Sequence, residues 1–102
     1  MDRSTPFYLL TPSRTQDAIG QWVTTFTQRQ VFGEVGSVSA SEFFAAGQNG
    51  IKPELRITMF SGDYNGEENV EVNGVQCSVY RTFFAKTDTV ELYCERRAGD
   101  EG

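Results

Sequence analysis

The feature that most constrains this chain is the dipeptide Asn73-Gly74, set between Val70-Glu71-Val72 and Val75-Gln76-Cys77-Ser78-Val79-Tyr80. Asn-Gly supplies both positive-φ residues of a type I′ turn, whose twist matches that of the strands it joins. The flanking runs alternate apolar and polar side chains, so a β-hairpin is predicted, with Val75, Cys77 and Val79 on its apolar face. A lone hairpin is marginal in water, and that face must be buried against further strands or a helix.

The remaining sequence supplies such partners. Phe7 to Ser13 reads as a strand, and Arg14 to Gly20 as a polar loop ending in a residue free to take positive φ. Trp22 to Arg29 and Val31 to Val38 are dense in β-branched and aromatic residues. They read as two strands or one long bent one, with Gly33 and Gly36 as places for a bulge or sharp bend. Leu55, Ile57 and Met59 alternate with Arg56, Thr58 and Phe60 in a half-buried strand that ends at the polar turn Ser61 to Gly66. Thr89 to Glu95 closes the pattern, with Val90, Leu92 and Cys94 on one face and Glu91, Tyr93 and Glu95 on the other.

The period changes once. Ser39-Ala40-Ser41-Glu42 fits a capping box, in which the Ser hydroxyl accepts from the amide three residues on and the Glu reaches back. A short helix is predicted over 39–47, with Gly47 at the left-handed C-terminal position. The expected fold is therefore mainly β: a small rolled antiparallel sheet or β-barrel with one short α-helix. A chain of 102 residues is one domain, with residues 1–97 as its body and 98–102 as a mobile acidic tail.

Composition narrows the chemistry. With no His, Ser-His and Cys-His nucleophile pairs and His-containing zinc sites cannot be built. Nine Lys and Arg against fourteen Asp and Glu give a net charge of −5, which disfavours tight binding of phosphates. Cys77 and Cys94 are too few for a disulfide framework and are expected to be buried, unbridged thiols. No apolar run has the length of a signal peptide or membrane span, so action in the cytoplasm of the producing cell is expected.

Three weaker constellations read blandly. Asp63-Tyr64-Asn65-Gly66-Glu67-Glu68 opens like a calcium loop, but Gly66 comes two positions too early and Gly74 stands where the closing carboxylate belongs. It reads as a solvated acidic turn. Gly33-Glu34-Val35-Gly36-Ser37 lies in a strand and lacks the Lys-Ser/Thr ending of a phosphate loop. Trp22, Phe26 and Phe32 with Arg29 resemble a base-stacking platform, yet on an acidic domain their alternation reads as core or wall. Phe43-Phe44 differs: adjacent helical residues point about 100° apart, and a small sheet easily buries only one. The other is then free to contact a partner, the alternative being that both fold under.

The series Thr15 to Trp22, Val35 to Gly47, Val72 to Val75 with Tyr80-Arg81-Thr82, and Val90 to Arg96 resembles the head closure, or head-tail connector, family of long-tailed bacteriophages. The resemblance spans nearly the whole chain. It implies a structural protein with no enzymatic activity and no cofactor, monomeric in isolation and forming a twelve-fold ring when assembled. The ring would sit in the virion neck beneath the portal and adaptor, close the DNA channel after packaging, and present a surface to tail completion or tail tube proteins. Assembly would take place in the host bacterial cytoplasm, without a membrane. DNA would pass through the lumen without sequence-specific contacts, along a wall whose negative charge repels it. By the same resemblance, the channel loop or subunit interface falls on Ser39, Ser41, Glu42, Phe43, Phe44 and Gln48, with Arg14, Gln16 and Asp17 as a second candidate loop. Competing readings are a tail terminator or other neck protein, a nucleic-acid-binding barrel, and a small-molecule-binding or enzymatic β domain.

Overall fold

A computed structural model describes residues 5–96. The elements in chain order are β1 (Thr5–Gln16), β2 (Trp22–Gly36), α1 (Ala40–Gly47), β3 (Pro53–Phe60), a 3-10 turn (Ser61–Asp63), β4 (Asn69–Val72), β5 (Val75–Lys86) and β6 (Thr89–Arg96). All strand pairs are antiparallel, and the order β1-β2-β3-β6-β5-β4 closes back on β1 as a barrel. Closure leaves the paired section without a free edge. The tail expected at 98–102 lies outside the described residues.

The barrel interior follows the strand period. Phe7 and Leu9 from β1, Val31 from β2, Ile57 and Met59 from β3, Val70 and Val72 from β4, Cys77 from β5, and Val90, Leu92 and Cys94 from β6 form one buried cluster. The Asn-Gly turn forms as expected, with Asn73 at φ 53° and Gly74 at φ 80°, pairing Val72 with Val75. On β6 the outward residue Tyr93 departs from the expected exposure and is only 8% exposed. The β5–β6 register shifts between Val79 and Arg81, and the Arg81 guanidinium lies 4.1 Å from the Tyr93 ring centre, covering it by a cation–π contact.

Gly33 marks neither a bulge nor a bend, since β2 pairs with β3 in unbroken register from Gly33 to Gly36. A Cβ there would lie 2.7 Å from the Thr58 carbonyl oxygen and 2.9 Å from the Phe7 ring, so the glycine permits close approach of strand and core. Of the two readings of this segment, two strands or one long one, the structure has the latter, the single β2.

The polar loop expected over 14–20 is mostly strand. β1 and β2 pair without interruption from Thr5↔Gly33 to Gln16↔Trp22, and only the tip between them is a turn. Every residue from Thr11 to Gln30 is exposed, so the far half of the hairpin is an arm. Its six outermost pairs, Thr11↔Thr27 to Gln16↔Trp22, project about 20 Å at 3.3 Å per residue, consistent with a molecule 48 Å long but 31 and 22 Å across. β5 likewise outruns the strand ending at Tyr80 that alternation suggested, and continues exposed to Lys86.

The helix starts as predicted, with the Ser39 hydroxyl accepting from Glu42 N at 3.2 Å. Its end differs. Gly47 remains helical, Gln48 is the C-cap at φ −65°, and the chain leaves through Gly50 at φ 79°, with Ile51 N donating to the Ala46 carbonyl. Only Ala46 on this helix is buried.

Candidate assembly interface

The arm is stiffened at its tip by two side chains. The Asp17 carboxylate accepts from Ile19 N at 3.0 Å and from Gln21 N at 2.9 Å, and Gln16 Nε2 donates to the Gly20 carbonyl at 3.1 Å. Short polar side chains that bond the backbone two to four residues on build turns of this kind. Arg14 sits 5.4 Å from the Trp22 ring centre, across the ribbon. Arg14 and Gln16 are therefore strand residues of a rigid arm, and Asp17 is the staple of its turn.

The aromatic residues of β2 are not core. Trp22 is 60% exposed, and Phe26 and Phe32 also stand open. They share the strand's outer face, because Val31 and Gly33, one residue out of step, face the interior. Alternation left core and wall open for them, since a period of two says only that one face differs from the other. Ile19 at the tip is 78% exposed.

The base of the arm is clamped to the acidic turn. Arg29 Nη2 donates to the Asp63 carbonyl at 2.6 Å and to Glu67 Oε2 at 2.9 Å; Glu67 Oε1 accepts from Asn65 N at 2.8 Å, and Tyr64 OH donates to the Glu67 carbonyl. The turn is thus tied down through Glu67 and Tyr64, while Asp63, Asn65, Gly66 and Glu68 stay exposed to solvent as expected. Burial would raise the Glu67 pKa, but the Arg29 hydrogen bond and backbone amide outweigh it and hold the carboxyl below its usual range. Burial, with Glu67 nearby, pushes the Tyr64 phenol up to about 12. A groove of about 440 Å³ beside this clamp is lined by Leu10, Pro12, Arg29, Gly66 and Glu68 among others. Among the described residues no cluster of His, Cys, Asp or Glu could hold a metal ion.

The predicted site residues of the insert fall into two groups. Glu42 does not return to cap the helix; its carboxylate accepts from Tyr80 OH at 2.8 Å and pairs with the Arg81 guanidinium. The Arg81 bond holds Glu42 below the usual carboxylate range, while burial and the Glu42 contact push the Tyr80 phenol up. Ser39 is the N-cap, with Ser41 Oγ 3.3 Å from its hydroxyl, and the Gln48 amide donates to the Phe44 carbonyl. Phe43 and Phe44 meet edge to face at 6.2 Å, yet stand 48% and 70% exposed. Neither is buried, against both alternatives drawn from the sequence. The insert and the arm tip form separate hydrogen-bond networks.

Cys77 and Cys94 are fully buried and unbridged, and burial pushes the Cys94 thiol up. No helix among the described residues is long and apolar enough to cross a membrane.

Sequence reasoning missed the arm and the exposed run Phe83-Phe84 on β5. The available signal was the near symmetry of two β-rich runs about the short turn-forming stretch Asp17 to Gln21, with Gly20 in it.

Fold and surface together define a class: a closed six-stranded antiparallel barrel with a projecting ribbon arm and a helical insert pinned to its wall. Among solved structures, the solution structure of protein SF1141 from Shigella flexneri 2a has this fold, at a TM-score of 0.72, covering 95% of each chain at 18% identity. No protein-family model and no curated protein matches the sequence.

Proposed function

We propose that this chain is a structural protein of a bacteriophage neck, a head-closure subunit that docks as a ring beneath the portal and adaptor, closes the DNA channel and presents the tail attachment surface. The observation that carries the reading is the arm, residues 11–30, which stands in solvent with Ile19, Trp22 and Phe26 exposed. An isolated domain has no use for apolar surface of this extent, whereas an assembly subunit covers it with its neighbours. Phe43 and Phe44 on the insert supply a second patch. The resemblance to head closure proteins runs through the same two segments, Thr15 to Trp22 and Val35 to Gly47.

On this reading the protein does no chemistry and needs no cofactor. It is made in the host cytoplasm, and its acidic body, repeated around the channel, repels the DNA that passes. The same charge keeps the free protein monomeric at micromolar concentration until the portal complex gathers copies together. Electron microscopy of particles from a phage lacking the protein tests the role. DNA-filled heads that leak and fail to join tails are expected; intact tailed particles would refute it. Binding of the purified protein to tail tubes and not to filled heads would reassign it as a tail terminator.

A further inference from the structure

The barrel is closed, but β1, β2 and β5 each outrun a partner. β2 has β3 beside it only from Gly33 to Gly36, and nearer the tip the arm is a two-stranded ribbon with an outer edge on β2. β5 is bonded to β4 only from Val75 to Ser78, with one further amide, Val79 N, donating to the Glu68 carbonyl. From Tyr80 to Lys86, β6 is its only strand neighbour among the described residues. A strand edge of this kind presents a row of backbone donors and acceptors to whatever strand can reach it.

We propose that copies of this chain join head to tail by strand addition, the arm edge of β2 in one copy pairing with the Tyr80–Lys86 edge of β5 in the next. The inference rests on the ring reading for its biological setting and supplies the contact that would build the ring.

Three observations select a second copy as the occupant. The first is placement: in the closed order β1-β2-β3-β6-β5-β4, strands β2 and β5 stand three apart, on opposite sides of the barrel. Two different complementary surfaces on opposite sides give a heterologous contact that propagates from copy to copy, closing as a ring where the rotation between neighbours permits. Alternate strand directions around the barrel make β2 and β5 antiparallel, so a neighbour turned about an axis along the strands offers β5 to β2 in antiparallel sense.

The second is charge. Residues 11–30 hold Arg14, Arg29 and Asp17 as their only charges, +1 in all, so the rest of the −5 chain carries −6. Body against body is repulsive, and arm against body is the approach that charge favours. Neither 22–32 nor 80–86 contains an acidic residue.

The third is the lack of blunting. Natural edges are commonly interrupted by proline, as the arm's other edge is by Pro12 on β1. The segments 22–32 and 80–86 contain none, and they carry exposed Trp22 and exposed Phe83 and Phe84 as cross-strand material. Main-chain bonds would supply affinity and the aromatics register.

Sedimentation of the full chain near millimolar concentration, in salt high enough to screen the −5 charge, tests the contact. Association beyond the dimer that grows with concentration is expected. Trp22→Glu with Thr24→Glu disables the arm, and Phe83→Glu with Phe84→Glu disables the β5 edge; all four residues are exposed, and circular dichroism verifies that each variant keeps the barrel. Each variant alone is expected to associate at least about tenfold more weakly. Mixed one to one, they should form pairs and stop at two copies, since one intact edge of each kind remains. A wild type that stays monomeric, association indifferent to either variant, or mixtures that do not pair would overturn strand addition. The neck role is judged separately: defective heads with a protein that never associates sink strand addition alone, whereas sound tailed particles with a protein that does associate sink the neck role alone.

Discussion

At the scale of single residues, the glycines of β2 show how little composition says about role. Gly33 has the Thr58 carbonyl oxygen and the Phe7 ring where a Cβ would go, while Gly36 has no heavy atom within 4 Å. Gly33→Ala is therefore expected to cost about 1–3 kcal/mol through overpacking, and Gly36→Ala to lie within about 0.5 kcal/mol of wild type. Urea unfolding of the two variants checks the contrast, which vanishes if strand and core do not meet at Gly33. Carboxylates give a second test. Glu42 and Glu67 both have pKa values held below the usual 4.5, so each is bonded more strongly when ionised in the fold than in the unfolded chain. Their contribution is present above the ordinary carboxylate pKa and is lost as pH falls through the depressed value. Stability should accordingly decline on acidification below about pH 4.5, and Glu42→Gln with Glu67→Gln should flatten that limb while lowering stability at neutral pH. An unchanged acid limb would mean that neither pair holds in solution. The thiols of Cys77 and Cys94 should react slowly with a maleimide until denaturant is added.

At the scale of elements, the helix and the arm are held in different ways. An eight-residue helix is too short to persist by itself, and α1 buries only Ala46. Its tether is the Glu42 carboxylate on Tyr80 and Arg81 of β5. Glu42→Ala is therefore expected to speed amide exchange across 40–48 while leaving the barrel amides protected; uniform protection would show that the tether is dispensable. Phe43 and Phe44 sit outside the core, so replacing both by Ser should keep thermal unfolding cooperative, and under the proposed neck role the same variant should impair head completion in electron micrographs. The hairpin at Asn73-Gly74 was readable in advance because a two-residue turn fixes its own register. Helix initiation was readable for a similar reason, since a cap is local chemistry. Helix termination was not, because Gly47 and Gly50 both permit a left-handed exit, and the choice of Gly50 goes with Ile51 N reaching the Ala46 carbonyl.

At the scale of the whole molecule, barrel and arm are separable. Residues 12–26 contribute nothing to the buried cluster, so their replacement by an Asn-Gly link between Thr11 and Thr27 should leave a folded barrel. Its circular dichroism and cooperative melting should resemble the parent's; a molten product would show that the arm supports the core. The sequence by itself determined the mainly β class, the Asn73-Gly74 hairpin, the helix start at Ser39 and the inward thiols, because each follows from local geometry or from a period of two. It also limited the chemistry through the lack of His. Tertiary structure decided which face of each strand meets the core, and where the strands lose their neighbours. Trp22 and Val90 both sit in β-dense runs, yet one is 60% exposed and the other fully buried, because β6 has a strand on each side and the outer half of β2 has β1 alone. Burial depends on how many elements crowd around a residue, and that number is set by the closure of the barrel rather than by any stretch of the chain.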